Sequence, residues 1–414
     1  MNNHPTSGNQ FVGCSVLLCV TGGIAAYKAA TLTSELVQLG IRVRVVMSAG
    51  AQRFIQPLTF QALTAEQVVT DLFDPGHAGV QHIELGKTHD LVLIAPASAN
   101  TIYRLAAGAA DDVVAATVLA SPAPVLIAPA MESTMWEKPA TQRNIQLLNT
   151  DGTTIIGPAT GRLASGGYGV GRMAEPAVIV QHVRAALGSN GDLSRNTLLI
   201  TAGGTREPID PVRTLTNRSS GLMGAAIAVA ARDRGAKVTL VTTAKAESEP
   251  GITVVPVETA AEMSSAVKNQ LPGHDTLVMA AAVADFRPIV PANIKLKKTD
   301  RPKLTLTLEA TQDILSAVTS SRDGFKRPTV VVGFAAETQR LIDEAREKIK
   351  SKQLDLIAAN IVQNDRSPFG AASVALTLID RNGRVQSLPE MPKEQAAHLL
   401  LDQVVKLIAS SATD

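Results

Sequence analysis

The sequence predicts an α/β protein built from two domains. Short apolar, β-rich runs alternate with longer helical patterns from end to end, which is typical of parallel sheets whose strands are joined by helical crossovers. At 414 residues the chain is too long for one ordinary domain. Apolar residues make up 45% of it but aromatic residues only 3%, so the cores must be built mainly from Ala, Val, Leu and Ile.

The first half contains five predicted strands separated by helical patterns. Residues 25–40, AAYKAATLTSELVQLG, carry apolar side chains at helical spacing and end on a glycine. The run 161–173, GRLASGGYGVGRM, has five glycines, and we expect it to be a mobile flap that closes over a ligand, forming neither helix nor strand. No strand is predicted from Gly161 until LLITAGG (198–204). The five strands are SVLLCVT (15–21), RVRVVMS (42–48), DLVLIAPAS (90–98), PVLIAPAM (124–131) and TTIIGP (153–158).

The segment GSNGDLSRN (188–196) collects the residues of a linker, so we place the domains at 1–188 and 189–414. The second domain repeats the strand and helix alternation. Near its end, SVALTLIDRNGRVQSL (373–388) predicts a hairpin in which Asn382 and Gly383 supply the positive backbone angles of a tight turn. The other predicted strands are TLLITAGG (197–204), KVTLVTT (237–243), TLVMAAAVADF (276–286), TVVVGFAAE (329–337) and LDLIAANIV (354–362).

Charge and cysteine content exclude several classes of protein. The net charge is +2 and the Lys and Arg residues are spread along the chain, which argues against nucleic acid as a partner. The two cysteines, Cys14 and Cys19, form no disulfide framework, and we expect a reducing, cytoplasmic location. The run FVGCSVLLCV (11–20) is about half the length of a transmembrane helix, so we interpret it as a buried strand and expect no membrane association.

Small and polar residues follow the predicted strands of the first half. The turn TGGIAAYKAA (21–30) places Gly22 and Gly23 before a helix that we expect to begin at about Ile24, where backbone N–H groups and the helix dipole favour an anion. Such a turn can equally be a packing feature. Ser48 and PASANT (96–101) would lie at the same carboxyl edge of a sheet, where open α/β sheets bind ligands. Because no acidic ribose-binding residue follows a GxGxxG pattern, a mononucleotide is favoured over a dinucleotide.

The second half has its own polar strand ends. TAGGTREPIDPVR (201–213) and TNRSSGLMG (216–224) lead into a helix and suit phosphate or carboxylate binding, although they could be simple packing. AAAVADF (280–286) places Asp285 at the end of a strand whose small residues leave room for a nucleotide. The lysines of IKLKK (294–298) form either a solvated face or an anion site on a loop past that strand.

Several of these motifs, in this order, resemble a known family. GGIAAYK (22–28), QHIELGK (81–87), APASANT (95–101) and PAMESTMW (129–136), together with the glycine-rich run, are similar to the flavin-containing cysteine decarboxylases. The second half resembles phosphopantothenate-cysteine ligase. Residues 12–405 therefore resemble the fused bifunctional phosphopantothenoylcysteine decarboxylase and phosphopantothenate-cysteine ligase family of coenzyme A biosynthesis. The resemblance implies a flavodoxin-like flavoprotein sheet in the N-terminal domain and a Rossmann-like ligase sheet in the C-terminal domain.

For the first domain the resemblance implies FMN and a catalytic base at His82. Without the motif, His82 would be interpreted as an ordinary helix-surface histidine. In the family reaction, flavin oxidises the cysteinyl thiol to a thioaldehyde, CO2 leaves, the reduced flavin returns its electrons, and an acid protonates the enethiolate carbon. The residues implied to bind FMN are Gly23, Ile24, Ala25, Ala26, Ser48, Pro96, Ser98, Ala99, Asn100, Thr101 and Arg172.

Two catalytic positions depart from the family pattern. Glu132 stands where the family has an asparagine that meets the substrate carboxylate, and two carboxylates about 4 Å apart repel by ~4 kcal/mol at an effective dielectric constant of about 20. Glu132 is therefore protonated, or paired with a cation such as Arg172, or turned away. Ser165 replaces the proton-donating cysteine of many relatives. Because a serine hydroxyl is a poor acid, we expect Tyr168 to be the proton donor.

For the second domain the resemblance implies carboxylate activation by CTP. The carboxylate of 4′-phosphopantothenate forms an acyl-cytidylate that the amine of cysteine opens, with Asn217 contacting the intermediate and Mg²⁺ relieving the triphosphate charge. The metal ligands stay unknown, and ATP stays an alternative to CTP. Leu222 stands where relatives often have a lysine. The implied nucleotide-binding residues are Ala281, Ala282, Asp285, Lys295, Asp313, Ile314, Phe334, Lys348 and Lys352.

Two functional hypotheses follow. In the first, the C-terminal domain ligates cysteine to 4′-phosphopantothenate and the N-terminal domain decarboxylates the product, in a homo-oligomer. In the second, an active ligase is fused to an FMN-binding module that has lost the reaction and serves oligomerisation or regulation. A flavin transferase, such as a prenyl-flavin synthase, would explain only the first domain.

Overall fold

The computed structural model describes residues 10–73, 81–245, 249–297, 303–320, 328–337, 340–361 and 371–411. The chain divides into two compact units between Leu187 and Gly188. In the described part of the chain, no helix is long and apolar enough to cross a membrane.

The first unit is built on a five-stranded parallel sheet in the order β2-β1-β3-β4-β5. Its central strands are buried on both faces, since alternate residues such as Leu17 and Leu18 belong to two different hydrophobic cores. All five predicted strands of this half are present. The strands are β1 (Ser15–Val20), β2 (Arg42–Met47), β3 (Leu91–Ala97), β4 (Val125–Pro129) and β5 (Thr154–Ile155). The helices are α1 (Ala26–Gln38), α2 (Pro57–Thr64), α3 (Gln81–Lys87), α4 (Ala99–Ala106), α5 (Val113–Leu119), α6 (Ser133–Trp136), α7 (Pro139–Thr150) and α8 (Pro176–Gly188).

The glycine-rich run corrects one sequence prediction. The expectation of neither helix nor strand was wrong, because β6 (Ala159–Arg162) and β7 (Tyr168–Arg172) pair as an antiparallel hairpin. Its turn is closed by hydrogen bonds from the N–H of Leu163 to the Gly167 C=O and from the N–H of Gly166 to the Leu163 C=O. The sequence has no alternating apolar pattern here because backbone hydrogen bonds, and not buried side chains, define the hairpin.

The second unit is built on an eight-stranded sheet in the order β12-β11-β8-β13-β16-β17-β18-β19. The first six strands in this order pair in parallel. The last two, β18 and β19, form an antiparallel hairpin that pairs antiparallel with β17. The strands of this sheet are β8 (Thr197–Ala202), β11 (Lys237–Thr242), β12 (Ile252–Pro256), β13 (Thr276–Met279), β16 (Val330–Glu337), β17 (Leu356–Ile361), β18 (Ser373–Asp380) and β19 (Val385–Pro392). Two small antiparallel pairs are β9 (Arg206–Pro208) with β10 (Thr214–Thr216), and β14 (Phe286–Pro288) with β15 (Leu308–Ala310).

Helices cover both faces of the second sheet, and two hydrophobic cores lie on its opposite sides. Strand β12 was not predicted. The predicted β18–β19 hairpin is present, but Gly383 alone of its two turn residues has a positive φ, of 81°. Asp380 closes this turn instead, because its Oδ1 accepts the N–H groups of Asn382 and Arg384. The helices are α9 (Leu222–Asp233), α10 (Ala260–Gln270), α11 (Ile314–Ser320), α12 (Leu341–Ser351) and α13 (Lys393–Ser411).

Candidate active sites

Hydrogen bonds between strand ends gather the predicted cofactor-binding segments at one edge of the first sheet. The Thr21 hydroxyl, after β1, donates to the Pro96 C=O at 2.8 Å and accepts the N–H of Ser98 at 3.0 Å. The N–H of Ser48, after β2, donates to the Val20 C=O at 3.1 Å. The sequence analysis did not single out Thr21, whose side chain is buried and connects the first and third strand ends.

The turn after β1 fits an anionic group. Helix α1 begins at Ala26, later than predicted, and no side chain caps its start. The N–H groups of Ala26 and Lys28 donate to the Gly23 and Ala25 C=O groups at 3.0 Å, so the positive end of the helix dipole, more than these two N–H groups, favours a phosphate here. A Cβ on Gly22 would lie 3.0 Å from the Gly50 carbonyl carbon, so this turn packs on the turn after β2. A Cβ on Gly23 would meet nothing within 4 Å, which leaves open space for a ligand beside Ile24 and Ala25.

The PASANT segment begins α4 and presents a capped helix start. The Oγ of Ser98 accepts the N–H of Thr101 at 3.3 Å and lies 3.0 Å from the Thr101 hydroxyl. Both hydroxyls therefore order the start of α4. Of the two residues between them, Ala99 is half-buried and Asn100 is exposed.

The β6–β7 hairpin lies directly on the segment 131–133 of the PAMESTMW motif. The N–H of Met131 donates to the Gly171 C=O at 2.9 Å. A Cβ on Gly171 would lie 2.2 Å from the Met131 carbonyl oxygen, and a Cβ on Gly169 would lie 2.3 Å from the Ser133 Oγ. Gly171 is required for the close approach of the two backbones, whereas Gly169 lies against the Ser133 side chain. The Ser133 Oγ is buried, and no described residue hydrogen-bonds to it.

Arg172 at the end of β7 is paired with Glu175 and not with Glu132. The carboxylate of Glu175 accepts hydrogen bonds from Arg172 Nη2 and from Lys28 Nζ, the latter at 3.0 and 3.1 Å. Lys28 is a buried residue of α1. Glu132, at the start of α6, is half-buried, and its carboxyl group has no hydrogen bond or ion pair with any described residue. Of the three possibilities for Glu132, pairing with Arg172 does not occur in this structure.

The remaining predicted catalytic residues of the first unit lie on separate elements. His82 is half-buried at the start of α3. Because α3 leads into β3, the start of this helix lies toward the carboxyl edge of the sheet. Ser165 is exposed in the hairpin turn and its Oγ accepts the N–H of Gly167 at 3.4 Å. Tyr168 begins β7 and is 80% exposed. In the described part of the chain, no hydrogen bond joins these three side chains.

A cavity of about 600 Å³ opens at the carboxyl edge of the second sheet. It is lined by Asn217, by Leu222 at the start of α9, and by all the predicted nucleotide-binding residues except Lys295. The side chain amide of Asn217 donates to the Val283 C=O at 3.0 Å, which holds it against the segment that follows β13. The predicted residues that line the cavity are Ala281, Ala282, Asp285, Asp313, Ile314, Phe334, Lys348 and Lys352.

Lys348 on α12 and Lys352 just after it are both paired with carboxylates. Lys348 Nζ lies 2.5 Å from a Glu337 oxygen, and Lys352 Nζ lies 3.0 Å from an Asp313 oxygen. Partial burial acts to raise the pKa of Asp313, but hydrogen bonds from the Ser316 N–H and from Lys352 outweigh it and lower that pKa. Asp313 therefore stays ionised and holds the lysine at the cavity wall.

Some cavity residues were missed by the sequence analysis. Lys393, the first residue of α13, lines the cavity and is buried, and its burial lowers the pKa of its ammonium group. Asn360 at the end of β17 lines the same wall. No local motif marks either residue, because each reaches the cavity only through the order of strands in the sheet. Lys295 is exposed outside the cavity lining, and Lys298 lies outside the described residues.

Comparison with known proteins agrees with this arrangement. The Flavoprotein family model matches residues 6–188, and the model of the DNA/pantothenate metabolism flavoprotein C-terminal domain matches residues 193–408. The coenzyme A biosynthesis bifunctional protein CoaBC of Bacillus subtilis is 44% identical over 95% of this chain and 97% of its own length. The chain belongs to the coenzyme A biosynthesis bifunctional protein family. The predicted family and the two-domain α/β fold class are thereby confirmed.

Other members of the bifunctional family are similar along nearly the whole chain. CoaBC of Escherichia coli strain K12 is 43% identical over 96% of this chain and 98% of its own length.

Among solved structures, the C-terminal domain of a CoaBC protein is 33% identical, covers 53% of this chain and 99% of its own length, and has a TM-score of 0.45. A cysteine-to-serine mutant of a PPC decarboxylase, complexed with pantothenoylaminoethenethiol, is 34% identical, covers 41% of this chain and 96% of its own, and has a TM-score of 0.38.

We predict that Gly171→Ala separates the hairpin from Met131. The added methyl group would overlap the Met131 carbonyl oxygen, and Gly171 also has a φ of 147°. Amide hydrogen exchange at Met131 should become at least about tenfold faster, because its N–H loses the Gly171 acceptor. Gly167→Ala is the matched control in the same hairpin, since its Cβ would make only an ordinary 3.6 Å contact with the Ser165 Oγ. Unchanged protection of Met131 in Gly171→Ala would show that the close approach does not hold the hairpin.

Proposed function

We propose that this chain catalyses two successive reactions of coenzyme A biosynthesis. The second unit joins cysteine to 4′-phosphopantothenate at the expense of CTP, and the first unit decarboxylates the resulting phosphopantothenoylcysteine to 4′-phosphopantetheine. The observation that carries the proposal is the cavity of about 600 Å³, in which Asn217 and eight of the nine residues expected to bind the nucleotide converge. A cavity of this size is typical of small-molecule sites.

In the ligase reaction, a carboxylate oxygen of 4′-phosphopantothenate attacks the α-phosphorus of CTP and pyrophosphate leaves. The cysteine amine then attacks the acyl carbon, and CMP leaves as the amide forms. Lys348 and Lys352 balance the triphosphate charge, for which their ion pairs with Glu337 and Asp313 must open or be shared. Mg²⁺ arriving with the nucleotide would relieve the negative charge of the triphosphate. The Asn217 amide, held at Val283, contacts the charge that develops on the acyl intermediate.

In the decarboxylase reaction, the uncapped start of α1 and the open space at Gly23 support binding of the FMN phosphate. Bound FMN would supply the reversible two-electron oxidation of the cysteinyl thiol. His82 takes the thiol proton, and Tyr168 Oη returns a proton to the carbon that has lost CO2. Because no described cation is paired with Glu132 and two carboxylates about 4 Å apart would repel by ~4 kcal/mol at an effective dielectric constant of about 20, the Glu132 carboxyl group is either protonated or turned away from the substrate carboxylate.

We also propose that the protein is a cytoplasmic homo-oligomer. Large apolar side chains are exposed on the first unit, among them Tyr27, Phe54, Leu58 and Tyr103, each more than half exposed. Exposed apolar surface of this kind is typical of subunit interfaces. Sedimentation of the purified protein would measure the oligomeric state.

The proposed decarboxylase activity can be tested without the ligase. Purified protein is given phosphopantothenoylcysteine, and the mass of the product is measured. We expect loss of CO2. An unchanged substrate, with FMN bound and CTP-dependent ligation intact, would instead indicate a flavin-binding module without decarboxylase activity.

We predict that Tyr168→Phe slows decarboxylation by at least about a hundredfold, the usual contribution of a general acid. FMN absorbance should be unchanged, because the ring of Tyr168 is retained. Ser165→Ala, which removes the other hydroxyl of the hairpin, should have little effect on the same rate. A Tyr168→Phe enzyme that converts substrate at the normal rate would eliminate Tyr168 as the proton donor.

We predict that Lys348→Gln and Lys352→Gln each raise the KM for CTP about tenfold, equivalent to about 1.4 kcal/mol of lost binding. The KM for cysteine should stay constant, because cysteine carries no triphosphate. Lys350→Gln is the matched control, since Lys350 is an exposed residue between them on α12 that does not line the cavity. If Lys348→Gln and Lys352→Gln have the same KM for CTP as Lys350→Gln, neither Lys348 nor Lys352 binds the nucleotide.

A further inference from the structure

Lys393, the first residue of α13, is a buried cation at the carboxyl edge of the second sheet. It lines the cavity although it is only 7% exposed. Its N–H donates to the Ala372 C=O at 3.0 Å, just before β18. Because β18 is antiparallel to β17, it begins at the edge where β17 ends. Helical side chains tilt toward the N-terminus of their helix, so the Lys393 side chain is directed toward this edge.

Helix α9 begins at the same edge and runs beside α13 in the same direction. It follows β8, which is parallel to the central strands, and α13 follows β19, which has the same direction as β17. Beyond the other end of α9, Arg234 Nη1 donates to the His398 C=O at 3.0 Å and to Asp402 at 2.8 Å. Both helices also bury side chains in one hydrophobic core. The first residues of the two helices therefore reach the cavity together.

The start of α9 presents backbone N–H groups to the cavity. Its N-terminal cap is Gly221, which has a φ of 75° and no side chain that could cap the helix. Leu222, Met223 and Gly224 all line the cavity, and among the described residues none accepts a hydrogen bond from their N–H groups. The positive end of the helix dipole lies at the same place, so this start favours an anion.

The cavity is apolar on the side of these two helix starts. Val374 and Leu376 of β18 line it, are 6% and 3% exposed, and belong to the same hydrophobic core as Met223. Burial among such side chains lowers the pKa of the Lys393 ammonium group, because the charged form is removed from water. An anionic ligand beside Lys393 would offset this cost with charge-assisted hydrogen bonds.

Lys393 is remote from the two lysines already assigned to the cavity. Lys348 and Lys352 lie on and just after α12, whose buried side chains belong to the core on the opposite face of the sheet. Lys393 and the start of α9 lie on the other face. The cavity therefore has basic groups on both faces of the sheet.

We propose that Lys393 and the first N–H groups of α9 together bind a phosphate group of a substrate. Phosphate oxygens accept hydrogen bonds from an ammonium group and from backbone N–H groups at a helix start, and here both kinds of donor line one cavity. The identity of the ligand rests on the proposed ligase function, because CTP and 4′-phosphopantothenate both carry phosphate. Inorganic tripolyphosphate has the same chemistry without either organic group, so it probes the site by itself.

Lys393→Met is the most direct variant, because it removes the charge and keeps a long apolar side chain at a buried position. Lys393→Arg retains a cation and is the conservative variant. Lys406→Met is the matched control, since Lys406 is an exposed residue of the same helix that does not line this cavity.

Amide hydrogen exchange of the full-length protein tests the site without turnover. Inorganic tripolyphosphate should slow exchange at Met223 and Gly224 at least about tenfold in the unmodified protein, because their N–H groups gain an acceptor. The slowing should be lost in Lys393→Met and retained in Lys406→Met. Absence of slowing in the unmodified protein would overturn the proposal whether or not Lys393→Met folds, and so would equal slowing in Lys393→Met.

Steady-state kinetics identifies the substrate that supplies the phosphate. Lys393→Met should raise the KM for CTP or for 4′-phosphopantothenate about tenfold, and Lys393→Arg should restore most of the loss. A rise for CTP assigns Lys393 to the triphosphate, and a rise for 4′-phosphopantothenate assigns it to the phosphate of that substrate. The KM for cysteine should stay constant, because cysteine carries no phosphate.

Unchanged KM values for both phosphate-bearing substrates would overturn the proposal, and so would a rise confined to cysteine, which would assign Lys393 to its carboxylate. An unmodified enzyme that consumes no CTP would refute the proposed ligase function. The tripolyphosphate experiment would still decide whether Lys393 and the start of α9 bind phosphate, so the two failures can be told apart.

Discussion

Both units depend on one constraint, which is that a parallel sheet covered by helices on both faces leaves only its strand ends open to ligands. Strands such as β1 and β3 are buried along their whole length, so they cannot carry polar chemistry themselves. The segments that follow the strands leave the sheet at its carboxyl edge and carry the polar groups there. The Thr21 bridge joins the ends of the neighbouring strands β1 and β3 in the first unit. In the second unit, Asn217, which follows β10 of a separate two-stranded pair, contacts Val283 in the segment after β13.

Cations at both edges are held by carboxylates of the protein itself. Arg172 and Lys28 share Glu175, Lys348 is paired with Glu337, and Lys352 with Asp313. Partly exposed ion pairs contribute only about 0 to 1 kcal/mol each, so an anionic ligand can replace or share such a carboxylate at small cost. The carboxylates keep the cations oriented toward each site, and we regard this as the electrostatic feature that the two sites have in common.

The sequence allowed the strands and the second cavity to be predicted well, because apolar runs and strand-end motifs are local signals. All five strands of the first sheet were expected, and eight of the nine predicted nucleotide residues line one cavity, Lys295 being the exception. The β6–β7 hairpin was not predicted, because its glycines are explained by close contacts with Met131 and Ser133, which are remote in the sequence. Lys393 and the ion pair of Arg172 with Glu175 were also missed, since neither has a local sequence signal.

If one chain performs ligation and then decarboxylation, it should carry out both reactions when only the substrates of the ligation are supplied. The purified protein is incubated with 4′-phosphopantothenate, CTP and cysteine labelled with a heavy carbon isotope at its carboxyl carbon, and mass spectrometry follows the products. We predict that labelled CO2 and 4′-phosphopantetheine accumulate in step with CMP. Accumulation of labelled phosphopantothenoylcysteine beside CMP, with no labelled CO2, would show that the first unit does not decarboxylate the product of the second.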